Sequence, residues 1–248
     1  MASAVLAGST GLVVCPSHNP PTSQTSTNLT QGSQILSTLS ASPSITSISA
    51  YARKDLPISE KLTPLSSSDT STWPSLYPKS QTIFFSALGT SKAQAGGIEN
   101  QRKIDLDLNL ALAKAAKEAG TRVYVLISTH GANATSFLPY PKMKGELEDA
   151  VSKLGFEHCI ILRPGLLVGD RQASRPAEFG LRKLAGFMGS VTGNRGKDFW
   201  AQDADVVARA AVNVGVKAAK GEWEGKGTTI LAQADVVKWG RTEWKAGL

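Results

Sequence analysis

Three observations predict an α/β fold built on a doubly wound parallel sheet. Short apolar segments with strand character alternate with helical segments along most of the chain. Several of those strands are continuous apolar runs, as expected where both faces of a parallel sheet are covered. Glycine follows the first strand at once, which marks the nucleotide-binding version of this architecture. The 248 residues suit one such domain, spanning 1–248.

Taken in order, residues 3–6 form the first strand and residues 33–39 begin a helix, which turns at Pro43. Residues 45–52 are the second strand. Residues 53–80 are polar and broken by Pro57, Pro64, Pro74 and Pro78, with one short strand near 62–65. Residues 82–87 are a buried strand. Residues 104–119 form the clearest helix, because Ile104, Leu108, Ala111, Leu112 and Ala115 recur at helical spacing and Gly120 ends it. A strand at 123–128, a helix at 140–154 closed by Gly155, and a strand at 158–162 follow. A long helix at 203–220 and a short strand at 228–231 complete the series. Residues 166–202, rich in Gly, Arg and Lys, break the rhythm and read as a variable substrate-side segment.

The glycine turn is interrupted. Gly8-Ser9-Thr10-Gly11-Leu12-Val13 should run directly into a glycine that opens a helix, yet that residue is Gly32, eighteen residues further on. Without 14–31 the text becomes a G-x-x-G-x-x-G dinucleotide fingerprint. Gly8 then makes the tight turn, and Gly11 admits the pyrophosphate. Gly32 lets the helix start against the strand, its N–H groups facing the anion. The intervening stretch has no charge, contains Pro20-Pro21 and is rich in Ser, Thr and Asn, so it is expected to be unstructured. It has the form of a retained intron translated in frame. Val14-Cys15 can be encoded by a common splice-donor sequence, and Leu29-Thr30-Gln31 can carry a branch point and an acceptor.

Composition narrows the function classes. The net charge of +7 comes from scattered Lys and Arg mixed with acids, which describes a basic surface and only weakly suggests a phosphate-bearing cofactor or a membrane surface. No basic stripe with interleaved aromatics exists, so nucleic acid is not an expected partner. There is no apolar run long enough for a membrane-spanning helix and no secretory signal. Cys15 and Cys159 do not make a disulfide framework, so a reducing compartment such as the cytoplasm is the default. His18, His130 and His158 lack metal-ligand spacing with those cysteines, and no metal is expected. Trp223, Trp239 and Trp244 are expected to pin the C-terminal helix to the body.

Three constellations besides the glycine turn carry chemistry. Tyr140 and Lys144 stand four apart and share one helical face. An ammonium fixed beside a phenol favours the phenolate, so such a tyrosine can exchange a proton with a carbonyl or alcohol near neutral pH. Ser128-Thr129 ends the preceding strand, where a hydroxyl can hold the substrate oxygen. Arg53-Lys54 closes the second strand, the place where an Arg accommodates a 2′-phosphate, which favours NADP over NAD. Asp55 beside them is the counter-argument. Asn109, in an otherwise good helix interior, is either a positioned polar group or an exposed one.

Together with Leu162-Arg163-Pro164-Gly165, these motifs resemble an atypical short-chain dehydrogenase/reductase. Phe85-Ser86-Ala87-Leu88-Gly89-Thr90, Ala95-Gly96-Gly97, residues 103–109 and Tyr140-Pro141-Lys142-Met143-Lys144-Gly145-Glu146 resemble one branch of it. That branch is the fungal "found in mitochondrial proteome" outer-membrane protein family, related to the Tat-interacting-protein reductases. The resemblance implies a Rossmann fold and NADP as cofactor, with NAD as the alternative. It also implies peripheral attachment to the cytosolic face of the mitochondrial outer membrane. By position it implies cofactor contacts at Gly8, Ser9, Thr10, Gly11, Gly32, Arg53, Ala87, Leu88, Gly89, Asn109, Pro164 and Gly165. Ser128, Tyr140 and Lys144 become the catalytic set for a small carbonyl or alcohol substrate, with Thr129 as the alternative hydroxyl. A non-catalytic NADP-binding or scaffold protein on the membrane surface is the second reading. Pro141 departs from the usual pattern and is expected to push Tyr140 away from helical geometry.

Overall fold

A computed structural model describes residues 1–9, 31–54, 56, 59–168 and 201–245. The strands, numbered in chain order, are β1 (Ala2–Ala7), β2 (Ile45–Ala52), β3 (Leu62–Ser66), β4 (Ile83–Ser86), β5 (Val123–Ile127), β6 (His158–Leu162), β7 (Leu166–Val168), β8 (Ala201–Asp203) and β9 (Gly227–Leu231). Seven of them form one sheet in the order β3-β2-β1-β4-β5-β6-β9, and β7 pairs separately with β8. Every pairing in the main sheet is parallel. The chain winds outward from β1 to β3, then returns to β4 on the other side of β1. This reversal opens a crevice beyond the carboxyl ends of β1 and β4, the place where doubly wound sheets receive ligands.

Helices α1 (Gln31–Ala41), α2 (Lys92–Ala95), α3 (Ile98–Arg102), α4 (Asn109–Glu118), α5 (Pro139–Ser152), α6 (Ala204–Lys220) and α7 (Gln233–Val237) accompany the sheet. Successive strand residues serve opposite faces. Leu6 packs with Ile35, Leu39, Val207 and Val214 on the side of α1 and α6. Val5 packs with Leu112, Met143 and Leu147 on the side of α4 and α5. The C-terminal tryptophans behave as expected, with Trp223, Trp239 and Trp244 packed against the first of these cores.

Two helix starts bear on the site. The helix expected at 104 already runs from Ile98, and a π-helical turn at Lys103–Leu108 joins α3 to α4. The apolar period is hidden there because Gln101 and Asp105 face inward. Helix α5 begins at Pro139, so Tyr140 lies inside its first turn despite Pro141. The first intrahelical bond of this helix comes from Lys142 to the carbonyl of Leu138. The N–H groups that the two prolines lack are therefore ones that a first turn leaves unbonded in any case. Among the described residues, no helix is long and apolar enough to cross a membrane.

Candidate active site

The first wall of the crevice is backbone against backbone. Gly8 has φ +92°, and a Cβ on it would lie 2.5 Å from the carbonyl oxygen of Ala87. A Cβ on Gly32 would lie 1.9 Å from the carbonyl oxygen of Gly8. Neither position has room for a side chain. The start of α1 thus rests on the end of β1 although the sequence separates them. Ser9 donates to the carbonyl of Tyr51 at 2.7 Å, tying this turn to β2. Arg53 follows β2 and is half-buried. Thr10, Gly11, Asp55 and residues 14–30 lie outside the described residues, as do Cys15 and His18. Gln31, the last residue of the interrupting stretch, donates to the carbonyl of Ala204 at 3.1 Å, while its buried Oε1 has no partner.

The opposite wall is the turn after β4, held by three polar side chains on successive helical turns. The Oδ1 of Asn109 accepts from the Ser86 hydroxyl, and its Nδ2 donates to the carbonyls of Leu88 and Asp105 at 3.1 Å each. Asp105 accepts from the backbone N–H of Thr90 at 2.7 Å. Gln101 donates to the carbonyl of Thr90 at 2.9 Å. All three side chains are buried. Of the two readings of Asn109, the geometry selects the positioned polar group. Its amide donors and its oxygen are engaged by protein, so it braces Ser86 and Leu88 and shapes the turn at Ala87, Leu88 and Gly89. Gln101 and Asp105 escaped the sequence reading. With Asn109 they form a polar row at every fourth position, which Glu99, Arg102, Lys103 and Asp107 around it mask in the sequence. Burial pushes the Asp105 carboxyl up to about 6, opposed by the nearby charge of Lys144 and by the bonds from Thr90 and Gln101.

Helix α5 brings in the rest. Lys144 is only 3% exposed, yet its ammonium donates to the carbonyl of Ile127 over a long 3.5 Å. Burial pulls the Lys144 pKa down, against the attraction of Asp105 and Glu148. Tyr140, one turn earlier, is 41% exposed. Glu148, one turn later, accepts a hydrogen bond from the hydroxyl of Ser128. Its carboxylate also receives the guanidinium of Arg163, with Nε at 3.2 and 3.1 Å from the two oxygens and Nη2 at 2.5 Å. Ser128 is therefore joined to Glu148 and Arg163, while Thr129 beside it is half-buried. The Glu148 partnership also escaped the sequence reading, because only the folded chain brings 128, 148 and 163 together.

The segment after β6 is fixed by its neighbours. The N–H of Arg163 donates to Leu231, and that of His130 donates to Pro164, both at 2.8 Å. Pro164 is buried and Gly165 half-buried at this end of the sheet. The loop before α5 presses on the helix so closely that a Cβ on Gly145 would lie 2.1 Å from the amide nitrogen of Ala134. A cavity of about 380 Å³ lined by Asn133, Gly145, Glu148 and Arg163, among others, borders the pair formed by Glu148 and Arg163 but not Tyr140 or Lys144. It is a side opening rather than the crevice itself. Among the described residues, no three His, Cys, Asp or Glu side chains are grouped to hold a metal.

Comparisons with known proteins place this geometry. The HIM1 family model matches residues 70–188. Solved structures share the fold at low identity. MoeE5 in complex with UDP-glucose and NAD is 15% identical, with a TM-score of 0.61 over 93% of this chain and 75% of that one. A short-chain dehydrogenase family protein from Francisella tularensis is 11% identical, with a TM-score of 0.59 over 94% of this chain and 96% of that one. Such likeness shows the Rossmann-type α/β fold. Sequence relatives are much nearer. "Protein fmp-52, mitochondrial" of Neurospora crassa is 44% identical over 255 residues, covering 98% of this chain and 97% of that protein. "Protein fmp52, mitochondrial" of Aspergillus clavatus is 45% identical over 251 residues, covering 97% and 99%. With identity at that level across nearly the whole of both proteins, the chain belongs to the family of the mitochondrial fmp52 proteins.

Proposed function

We propose that this chain is an NADP-dependent oxidoreductase of the short-chain dehydrogenase type, acting on a small carbonyl or alcohol. The observation that carries the reading is Lys144, a buried ammonium with one long contact to a carbonyl. An ammonium has three donors, and burying them unspent is costly. The hydroxyls of a cofactor ribose are the partners such a group awaits. The rest of the crevice fits a dinucleotide. Gly8 and Gly32 leave backbone where a pyrophosphate needs close approach, and Arg53 stands past β2 where an adenosine phosphate is met. Thr10 and Gly11 belong to the same loop by sequence, and Ala87, Leu88, Gly89, Pro164 and Gly165 line the further end.

When bound, NADP supplies hydride exchange with the carbon that bears the reacting oxygen. Tyr140 gives that oxygen a proton when a carbonyl is reduced, and takes one when an alcohol is oxidised. Lys144 favours the phenolate by its charge. Ser128 orients the substrate oxygen, with Thr129 as the neighbouring hydroxyl. Asn109 acts by positioning rather than by touching the cofactor, since its amide is spent on Ser86, Leu88 and Asp105.

A non-catalytic NADP-binding protein is the second reading, favoured by the commitment of the Ser128 hydroxyl to Glu148. A cofactor titration combined with Tyr140→Phe separates the two. An NADP-dependent turnover that this variant abolishes supports the enzyme, and binding without any turnover supports the second reading. Failure to bind either NADP or NAD removes both. Arg53→Ala should weaken NADP more than NAD; equal loss would sink the preference. For location, the names of the relatives support a mitochondrial address, and we place the chain peripherally on the cytosolic face of the outer membrane. Protease treatment of intact mitochondria checks it: a protected chain would exclude that face.

A further inference from the structure

The bond between Ser128 and Glu148 has a defined direction. Glu148 is 3% exposed and takes the guanidinium of Arg163 on both oxygens, so it is a carboxylate and can only accept. Ser128 must then be the donor. A hydroxyl has one hydrogen and two lone pairs, and here the hydrogen is spent. To a substrate oxygen beside it Ser128 can offer only lone pairs. A carbonyl oxygen gains nothing from such a partner, whereas an alcohol O–H does.

We propose that Glu148, clamped by Arg163, fixes Ser128 as a hydrogen-bond acceptor, so that the site grips the hydroxyl form of its substrate through Ser128 and leaves donation to a carbonyl to Tyr140. This rests on the oxidoreductase reading of the same site. Glu148 and Arg163 are positioning residues in it, since both act through Ser128. The carboxylate at 148 sets which redox partner of the substrate is held more tightly, a specificity that neither the serine nor the tyrosine encodes alone.

Glu148→Gln reverses the polarity without changing the shape. Arg163 still needs an oxygen, so the amide oxygen faces it and the amide nitrogen faces Ser128. That nitrogen donates to Ser128 and frees the serine hydrogen for the crevice. Two redox-inert fluorinated probes read the outcome: trifluoroethanol, which donates, and N,N-dimethyltrifluoroacetamide, which only accepts. Their affinities are measured by fluorine NMR on the full chain saturated with NADP. The unaltered chain should prefer the alcohol, and Glu148→Gln should shift the ratio of the two affinities toward the amide by about tenfold. A merely structural role would weaken both probes together and leave the ratio alone, and that outcome overturns the proposal. Ser128→Ala keeps the test alive should Glu148→Gln fail to fold. It should weaken the alcohol by about tenfold and leave the amide unchanged. Loss of the amide instead would make Ser128 a donor and overturn the proposal, as would an unchanged alcohol affinity, which would pass the role to Thr129. If NADP does not bind the unaltered chain, the underlying reading fails and the proposal with it. If NADP binds and only the ratio fails to move, the reading stands and this proposal alone falls.

Discussion

The two walls of the crevice are built on opposite principles. The wall formed by β1 and α1 works by having nothing in it: Gly8 and Gly32 bring three stretches of main chain into contact, and no side chain fits between them. The wall formed by β4, the helices that follow it and α5 works by what it contains. Gln101, Asp105, Asn109, Lys144, Glu148 and Ser128 are all polar and all buried. The first should fail when mass is added and tolerate changes of charge. The second should tolerate mass-conserving changes and respond to charge. A ligand that spans both is gripped by shape at one end and by donors and acceptors at the other.

The sharpest way to break this contrast is Gly32→Ala. A Cβ at 1.9 Å from a backbone oxygen forces α1 off β1, and we expect a stability loss of about 3 kcal/mol or more, with loss of cofactor binding, measured by urea denaturation and calorimetry. A loss below about 1 kcal/mol would show that this wall yields. Next comes Lys144→Met, which keeps the stem and removes the charge. Fold stability should stay within about 1 kcal/mol, because the lost charge was costly to bury, while NADP affinity falls about a hundredfold. A large stability loss with little change in affinity would make Lys144 a structural residue.

Asp105 supplies a pH test of the second wall. Its pKa is raised by burial from 3.8 to about 6, so the folded chain keeps a proton that the unfolded chain has lost between those values. The contribution of this group to stability is full below pH 4 and is lost as pH rises through 6. Asp105→Asn should remove that part of the profile and flatten stability between pH 4 and 6, a difference of about 1–3 kcal/mol across the window. Urea midpoints at the two ends measure it, and an unchanged profile would show that the carboxyl titrates normally. The smallest effect concerns the first wall again. Removing 14–31 joins Val13 to Gly32, and NADP should bind about tenfold more tightly, since a shorter loop closes at lower entropic cost. Equal affinities by calorimetry would show that the interruption is harmless.

The same contrast explains what could be read in advance. The first wall was legible because glycines leave a mark in the sequence at the place they are needed. Gly8 and Gly32 were paired from text alone, and the folded chain puts them in contact. The central strands were legible because apolar residues dominate them, as at β5 and β6. The second wall was legible where a residue has a local mark: the spacing of Tyr140 and Lys144, the place of Ser128 at a strand end, and an Asn at 109 inside a helix. Glu148 and Arg163 meet Ser128 through tertiary folding, which no local period encodes. Asp105 and Gln101 lay beyond the reach of periodicity for the opposite reason. Buried polar residues look like solvent-facing ones in a sequence; Gln101 falls before the helix expected from 104, and Asp105 falls inside it but off its apolar period.

The contact of Gly145 with Ala134 has a mechanical consequence. With no side chain as a cushion, and with the N–H of Asn133 bonded to the carbonyl of Pro141, the loop before α5 is riveted to the helix axis. Phe137, fully exposed, lies between that rivet and Tyr140 in the first turn of α5. A load on that phenylalanine therefore meets a short span of chain fixed to α5 at both ends, with little slack to absorb it.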